Sequence, residues 1–233
     1  MRVAEYGPSR RSDVADLTAR VWGTRTDESE LEWFYEGNPV RPASVLLAEE
    51  GDRILGSVAI SYQPLAGVVV GFAVHLATDP EHRGRGIFSE LQQANEERAR
   101  EGGVSLLLTV PTAESARILT GRLDWTPLPS LRVWARPWPR RVRAARVERY
   151  GDPYLDWRFA AAPRDYTLYA DGTVVGKRGR LSYVARGRPD AAMLTLGRSF
   201  LPTPKKFTLL GKTLDGSPLP PRVDLELGDL DFL

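Results

Sequence analysis

The chain contains no cysteine, and only two of its 233 residues, His75 and His82, are histidine. The absence of cysteine excludes disulfides, thiolate nucleophiles, iron–sulfur clusters and cysteine-ligated zinc. Two histidines are too few for a multi-histidine metal site. We therefore expect a protein that works without a resident metal.

The sequence also lacks a long apolar run and a strong net charge. No segment approaches the roughly 18 consecutive apolar residues of a membrane-spanning helix, and the N-terminus has no apolar signal region. With 32 basic and 30 acidic residues, the formal net charge is only +2. Such a balance does not by itself indicate nucleic acid. These absences favour a cytoplasmic protein with neither a membrane nor a nucleic-acid partner.

The first half of the chain alternates strand-like and helix-like segments. Val68–Thr78 is long and almost uncharged, which predicts a strand buried on both faces. Residues 87–100 place apolar side chains at helical spacing, and Gly102-Gly103 follows as a stop signal. Residues 104–110 then form an apolar run typical of a strand. The alternation predicts an α/β fold with a mixed sheet.

The composition changes after residue 135. Six arginines lie within residues 136–149, next to Pro137 and Pro139, and predict a basic linker over residues 138–151. The remainder, residues 152–233, is rich in predicted strands. Residues 155–159 weakly repeat residues 31–35, and a strand, a glycine turn and a second strand follow each copy. We predict a first domain over residues 1–137 and a smaller, β-rich domain over residues 152–233.

The most informative stretch is residues 74–88, where a strand, a turn and a helix follow one another directly. The turn holds Arg83, Gly84, Arg85 and Gly86. The first amides of a helix have no intrahelical partner and lie at the positive end of its dipole. Glycine lets a bulky anion approach the backbone closely. We therefore predict a phosphate-binding turn.

Two nucleotide-binding motifs do not fit this turn. The dinucleotide fingerprint requires a third glycine where Ser89 stands, and the chain has no Gly-Lys-Ser/Thr sequence of a P-loop. The turn instead resembles the pyrophosphate loop of the GNAT superfamily of acyl-CoA-dependent N-acetyltransferases, Arg/Gln-x-x-Gly-x-Gly/Ala. Arg83 and Gly86 match this pattern, and Phe88 stands at its final small residue.

Further segments extend the resemblance. Trp33-x-Tyr35-x-x-Asn38-Pro39 and Pro111-x-x-x-Ser115 look like parts of one GNAT subgroup. The resemblance covers about residues 1–137 and implies a GNAT-like fold. Residues 152–233 resemble the incomplete second GNAT-like unit that such proteins often carry.

The resemblance implies an acetyl-CoA-dependent N-acetyltransferase in which a small-molecule primary amine attacks the thioester directly in a ternary complex. Backbone groups of Leu76, Ala77 and Thr78 would bind the pantetheine arm as an added strand. The diphosphate of acetyl-CoA would be held by the residues of the turn and the first helical turn. These are Arg83, Gly84, Arg85, Gly86, Ile87, Phe88 and Ser89.

His75 is our candidate general base, because the ordinary pKa of histidine suits proton removal near neutrality. Strand alternation places His75 on the opposite face from Leu76, so a hydrogen-bonded core histidine is the alternative. His82 is a weaker candidate, and some relatives use the terminal carboxylate, which here belongs to Leu233. We predict that Glu32, Trp33 and Tyr35 line the acceptor pocket, with core packing as the alternative for the two aromatic residues.

The sequence departs from the usual GNAT pattern in the last helix. Ala113 and Thr120 stand where the superfamily usually has an asparagine and a tyrosine, the latter often protonating the leaving thiolate. A non-catalytic acyl-CoA-binding or scaffolding module is therefore the alternative function. A third hypothesis, an aminoacyl transferase with two GNAT-like units, is disfavoured because the second half lacks its own glycine loop. The sequence permits a homodimer.

Overall fold

A computed structural model describes residues 1–196 and 199–230 of the chain. The chain divides into two compact units. The first comprises Met1–Pro127 and Leu210–Leu219, and the second comprises Leu128–Leu209 and Pro220–Leu233. The return of the chain to the first unit at residue 210 was not predicted from the sequence, and the boundaries at residues 137 and 152 stay predictions.

The first unit is a mixed sheet with helices. Its strands are β1 (Arg2–Glu5), β2 (Ser44–Glu50), β3 (Arg53–Leu65), β4 (Val68–Thr78) and β5 (Leu106–Thr109). Its helices are α1 (Arg11–Trp22), α2 (Glu28–Tyr35), α3 (Ile87–Glu101) and α4 (Ala113–Arg122). The predicted strand over residues 68–78 and the predicted helix that begins at Ile87 are both present.

The sequence explains where these elements lie. In α3, Ile87 and Leu91 are one turn apart and pack on Leu46, Leu55 and Val58 of the sheet. β4 is buried along most of its length, as its almost uncharged sequence indicates. Within residues 1–196 and 199–230, no helix has both the length and the apolar character needed to cross a membrane.

The sheet of the first unit is completed by a late part of the chain. Strands β1 to β4 pair antiparallel in sequence order, and β5 is parallel to β4. Strand β6 spans Thr126–Ala135, and the last strand, β12, spans Leu201–Thr213. Residues 210–213 of β12 pair antiparallel with residues 106–109 of β5. Leu210 and Leu214 also join the core around Leu107, Leu119 and Trp125.

A buried ion pair holds this returning segment. The Lys212 Nζ donates to Glu96 Oε2 at 2.6 Å and to the Leu123 carbonyl at 2.7 Å. Trp125 Nε1 donates to the other carboxylate oxygen of Glu96 at 2.7 Å. Glu96 is buried within α3, so its carboxylate depends on these partners for compensation.

The second unit contains β7 (Arg146–Val147), β8 (Tyr166–Tyr169), β9 (Val174–Arg178), β10 (Leu181–Arg186) and β11 (Leu194–Thr195). Before β8, a helical turn at Pro153–Leu155 continues as a π-helical turn at Asp156–Ala160. The predicted strand over residues 223–227 is absent, and a 3-10 turn spans Leu227–Leu230.

The strand orders of the two units correspond. Strands β7 to β10 pair antiparallel in sequence order, β11 is parallel to β10, and β6 is antiparallel to β11. In the first unit, strands β1 to β5 and residues 210–213 follow one another in the same order, with the same antiparallel and parallel pairings. The correspondence supports the weak internal repeat read from the sequence. Helix α3, however, lies between β4 and β5, whereas only residues 187–193 connect β10 to β11.

Candidate active site

A bulge interrupts β4 near its carboxyl end. Val74 pairs with Ala59 and Ala77 pairs with Ser57, so His75 and Leu76 together oppose one residue of β3. His75 has a positive φ of 51°, which is uncommon for a residue with a side chain. His75 nevertheless packs on Trp22 and Phe34, whereas Leu76 packs with Ile87 and Leu91 of α3, so the two side chains contact different helices, in agreement with the expected opposite faces.

Beyond the last paired residues, β4 and β5 leave a gap that we call the first slot. These strands pair at Gly71 with Leu107 and at Phe72 with Leu108, and β4 then continues to Thr78. The Asp79 N–H donates to the Leu55 carbonyl at 2.8 Å. Since strand peptide groups alternate in direction, those of Ala77 also face β3. The peptide groups of Leu76 and Thr78 consequently point into the first slot.

The predicted phosphate turn directly follows this strand. Gly84 and Gly86 have φ values of 76° and 81°, a left-handed conformation that glycine adopts without a Cβ penalty. The first helical hydrogen bond of α3 runs from the Glu90 N–H to the Gly86 carbonyl at 3.0 Å. The N–H groups of residues 87–89 precede that bond and lie at the positive end of the helix. This is the geometry that suits an anion.

Asp79, at the start of the turn, connects it to neighbouring elements. Its buried carboxylate accepts from Arg20 Nε at 2.9 Å, from Arg53 Nη2 at 2.8 Å and from the Glu81 N–H at 3.1 Å. Burial alone raises the pKa of Asp79, but the hydrogen bonds from Arg53, Glu81 and Arg20 together lower this pKa to about 2. A permanently ionised Asp79 thus ties the turn to α1 and to β3.

A cavity of about 610 Å³ opens at the turn. It is lined by the turn and α3 start, by Leu76 and Thr78, by the end of α1 and by one side of α4. Three arginines, Arg83, Arg117 and Arg122, face it with a single carboxylate, Glu114, so its charged lining favours anions. The predicted residues that line it are Leu76, Thr78, Arg83, Gly84, Gly86, Ile87, Phe88 and Ser89.

Three of the predicted cofactor residues, Phe88, Arg85 and Ala77, make contacts away from the turn. Phe88 packs against two core clusters that both include residues of α3, and it also lines the cavity, so it forms part of the cavity wall. Arg85 lies within ion-pair distance of Glu50, at 3.3 Å, and Ala77 faces β3. Arg85 and Ala77 are outside the cavity lining within the described part of the chain.

His75 lies in an aromatic cluster beside the cavity. Its Nδ1 is 3.0 Å from the Tyr35 hydroxyl, and its ring centroid is 4.9 Å from that of Phe34 and 5.8 Å from that of Trp22. Trp22 lines the cavity, whereas His75 does not within the described residues. The hydrogen bond and the ring contacts match the core-histidine alternative, and the catalytic role of His75 stays a prediction. Leu233, the carboxyl-terminal candidate, lies outside the described residues.

The predicted acceptor residues are on α2. Glu32 is exposed and pairs with Arg11 at 3.0 Å, and Trp33 is buried against Phe34. Tyr35 is fully buried and packs edge-on against Tyr6, and burial raises the pKa of its hydroxyl. None of these three predicted residues lines the cavity in the described structure, although Tyr35 reaches His75.

Sequence reasoning missed several residues of the cavity. Trp22, at the end of α1, has 46% of its surface exposed, which is unusual for tryptophan and could not be read from the helical period. On α4, Thr112, Ser115 and Ile118 recur at helical spacing and face the cavity. Thr120 is on the other side, where its hydroxyl donates to the Ala116 carbonyl at 2.8 Å.

Known proteins resemble this chain in sequence and fold. Residues 2–128 match the family model of the acetyltransferase (GNAT) domain, which is more than half of the chain. No curated protein matches the sequence. A candidate acetyltransferase from Pyrococcus horikoshii is 12% identical with a TM-score of 0.67, and the match covers 97% of this chain and 92% of that one.

Two other solved structures share the fold. A GCN5-related N-acetyltransferase from Kribbella flavida is 16% identical with a TM-score of 0.62, covering 92% of this chain and 71% of that one. A candidate acetyltransferase from Salmonella typhimurium, solved with its cofactor acetyl-CoA, is 14% identical with a TM-score of 0.52, covering 94% and 96%. At these identities the similarity shows the fold.

Proposed function

The chain belongs to the acetyltransferase (GNAT) domain family, and we propose that it transfers the acetyl group of acetyl-CoA to a primary amine of a small molecule. One observation carries the proposal: the first slot opens beside a glycine turn whose helix-start amides and arginine-lined cavity suit a diphosphate. The acetyl-CoA in the Salmonella structure of the same fold supports the choice of donor.

The turn would bind the diphosphate of acetyl-CoA, and the first slot would bind its pantetheine arm. The N–H groups of residues 87–89 and the guanidinium of Arg83 would hold the diphosphate by charge-assisted hydrogen bonds. The peptide groups of Leu76 and Thr78 would pair with the amides of the pantetheine arm, as an added strand does. This pairing fixes the depth of the arm, and it brings the thioester carbonyl into the first slot near the bulge.

The reaction then needs no covalent enzyme intermediate. The amine nitrogen forms a bond with the thioester carbonyl carbon, the carbon–sulfur bond breaks, and coenzyme A leaves as its thiolate. The amine loses a proton to a general base, for which we retain His75, because the bulge places it where the strands separate. The thiolate takes its proton from water, and we assign to the Ser115 hydroxyl, which α4 presents to the cavity in place of Thr120, a hydrogen bond that stabilises the thiolate.

Thiol release from acetyl-CoA against a panel of primary amines tests the proposal. We expect turnover with at least one amine by the natural chain and none by Gly86→Asp, because a carboxylate at this position would face the diphosphate. Gly86→Asn is the matched control, since asparagine shares the shape of aspartate and tolerates positive φ. Equal turnover by Gly86→Asp and Gly86→Asn would refute the placement of the diphosphate.

A specific observation favours a second function, a non-catalytic acyl-CoA-binding or scaffolding module. Ala113 and Thr120 replace the usual functional side chains of α4, and His75 is outside the cavity lining in the described residues. This alternative predicts that coenzyme A raises the melting temperature while no amine yields free thiol. A single productive amine eliminates it.

The remaining features of the proposal come from the sequence. We propose a reaction without a metal, a cytoplasmic location, and no membrane or nucleic-acid partner, and a homodimer is compatible with it. Addition of a metal chelator to the thiol-release assay should leave turnover unchanged.

A further inference from the structure

The second unit repeats the bulge and the slot of the first. Val184 of β10 pairs with Val175, and Arg186 pairs with the next residue, Val174, so Ala185 is the extra residue of a bulge. Strand β10 pairs with β11 at Tyr183 and Leu194, then continues to Arg186. We call the space beside β10 beyond Tyr183 the second slot, because it corresponds to the first slot in strand order and in its bulge.

The carboxyl-terminal segment of the chain lies against this second slot. The 3-10 turn Leu227–Leu230 packs on β10. A Cβ built at Gly228 would lie 2.5 Å from the carbonyl oxygen of Ala185, the bulged residue, and 3.0 Å from the Phe159 ring. Only glycine fits an approach this close. The buried Arg158 donates to the Gly228 carbonyl.

A carboxylate of the same segment binds the backbone just after β10. Gly187, with a φ of 89°, follows β10 as the glycine turn follows β4. Its N–H donates to Glu226 Oε1 at 2.7 Å. Hydrogen bonds from the Glu226 N–H to Asp229 Oδ2 at 2.8 Å and from the Asp229 N–H to the Glu226 carbonyl at 3.0 Å hold the segment in this shape.

We propose that residues 223–230 are a built-in ligand of the second unit. Their backbone fills the second slot at the Ala185 bulge, and the Glu226 carboxylate takes the anion position on the Gly187 amide. The second unit also has no counterpart of α3 between β10 and β11, and hence no helix-start amides for a diphosphate. The chain therefore has one acyl-CoA site, in the first unit, and this count rests on the proposed function.

Calorimetric titration of the full chain with coenzyme A tests the count. We expect one coenzyme A per chain, and loss of that binding in Gly86→Asp. A second coenzyme A per chain, or one that still binds to folded Gly86→Asp, would overturn the inference. If the natural chain binds no coenzyme A at all, the proposed function fails instead, and the occupancy of the second slot is decided by a separate measurement.

Hydrogen exchange followed by mass spectrometry provides that measurement. Gly228→Ala should speed exchange across residues 183–187 by at least about tenfold, because the added methyl group cannot fit beside Ala185 and displaces the segment. Gly121→Ala is the matched control, since nothing lies within 4 Å of its Cβ position and its φ is ordinary. Exchange across residues 183–187 that is the same in both variants would show that the segment does not fill the second slot.

Discussion

In the first unit, β4 is followed by a glycine turn and by a helix of 15 residues, whereas in the second unit β10 is followed by residues 187–193 and directly by β11. The two strands share a bulge and a parallel neighbour. The strand framework is thus common to both units, and the helix-start amides belong to one. Retention of a sheet and a bulge does not retain a diphosphate site, because that site is built from the turn and the helix.

The charges of the two units differ in sign. The first unit has 20 acidic and 14 basic residues, and the second has 10 acidic and 18 basic. The net charge of +2 for the whole chain hides this difference. An acidic unit repels an anionic donor at long range, so binding of a diphosphate there must come from the local amides and arginines.

Removal of all residues after 137 should destabilise the first unit more than any single substitution. A chain ending at residue 137 lacks Leu210, Lys212 and Leu214, so the edge of β5 is uncovered and Glu96 is left without its lysine. We expect no cooperative thermal unfolding transition by circular dichroism. Appending residues 207–219 through a flexible linker should restore one. A cooperative transition in the bare fragment would show that the first unit does not depend on its returning strand.

Lys212→Met tests the same dependence at a single side chain. Removing one partner of a buried ion pair costs about 3–5 kcal/mol, because Glu96 is left buried and uncompensated. Urea unfolding followed by tryptophan fluorescence measures the loss. The exposed Lys206 has no side-chain partner in the described structure, so Lys206→Met should stay within about 0.5 kcal/mol of the natural chain. Similar losses in the two variants would contradict the role of the pair.

Asp79→Asn tests whether the Asp79 carboxylate holds the glycine turn that follows β4. The folded-state pKa of Asp79 is lowered to about 2, so its contribution to stability is present above about pH 4 and is lost as the pH falls toward 2. The variant should lose about 2 kcal/mol at pH 7 and lack this acid-dependent loss. Denaturant melts at several pH values check this.

The same substitution should weaken coenzyme A binding about tenfold, because the turn loses its anchor to α1 and β3. In the second unit, the exposed Asp171 accepts from the Thr173 N–H at 3.0 Å and serves as the control position. Asp171→Asn should leave the affinity unchanged. If Asp79→Asn binds coenzyme A as well as Asp171→Asn does, the anchor is irrelevant to the site.

His75→Ala should have the smallest effect on stability and a clear effect on catalysis. Ala66 of this chain has a φ of 50°, close to the 51° of His75, so alanine is compatible with this backbone conformation. We expect unfolding free energy within about 1 kcal/mol of the natural chain, an unchanged KM for acetyl-CoA and a kcat lowered at least about tenfold. Thiol-release kinetics measure this, and an unchanged kcat would remove His75 as the base.

Much of the first unit could be predicted from local sequence. The almost uncharged run of β4 and the two glycines before Ile87 each follow from a single local cause, burial on both faces or positive φ. The turn and the start of α3 therefore lie where the sequence predicts them, and the binding role of their residues stays a prediction.

What could not be predicted depends on contacts distant in sequence. The bulge at His75 has no glycine that would indicate it in the sequence. It is defined by the pairing of β4 with β3. Residues 207–210 read as an ordinary strand, and nothing local shows that the strand continues to residue 213 or that residues 210–213 pair with β5, a hundred residues earlier. Trp22 ends α1, and nothing in the local sequence shows that 46% of its surface is exposed or that it lines the cavity.

The late position of residues 210–213 in the sequence also determines when the first unit can complete its sheet during synthesis. On the ribosome, most of the second unit emerges before residues 210–213 are made, so the first unit has to wait for its final strand. Until then, the edge of β5, whose Leu107 and Leu108 are fully buried in the finished protein, is open to wrong pairing. Nascent chains of this protein therefore have a long period during synthesis in which this edge is unpaired.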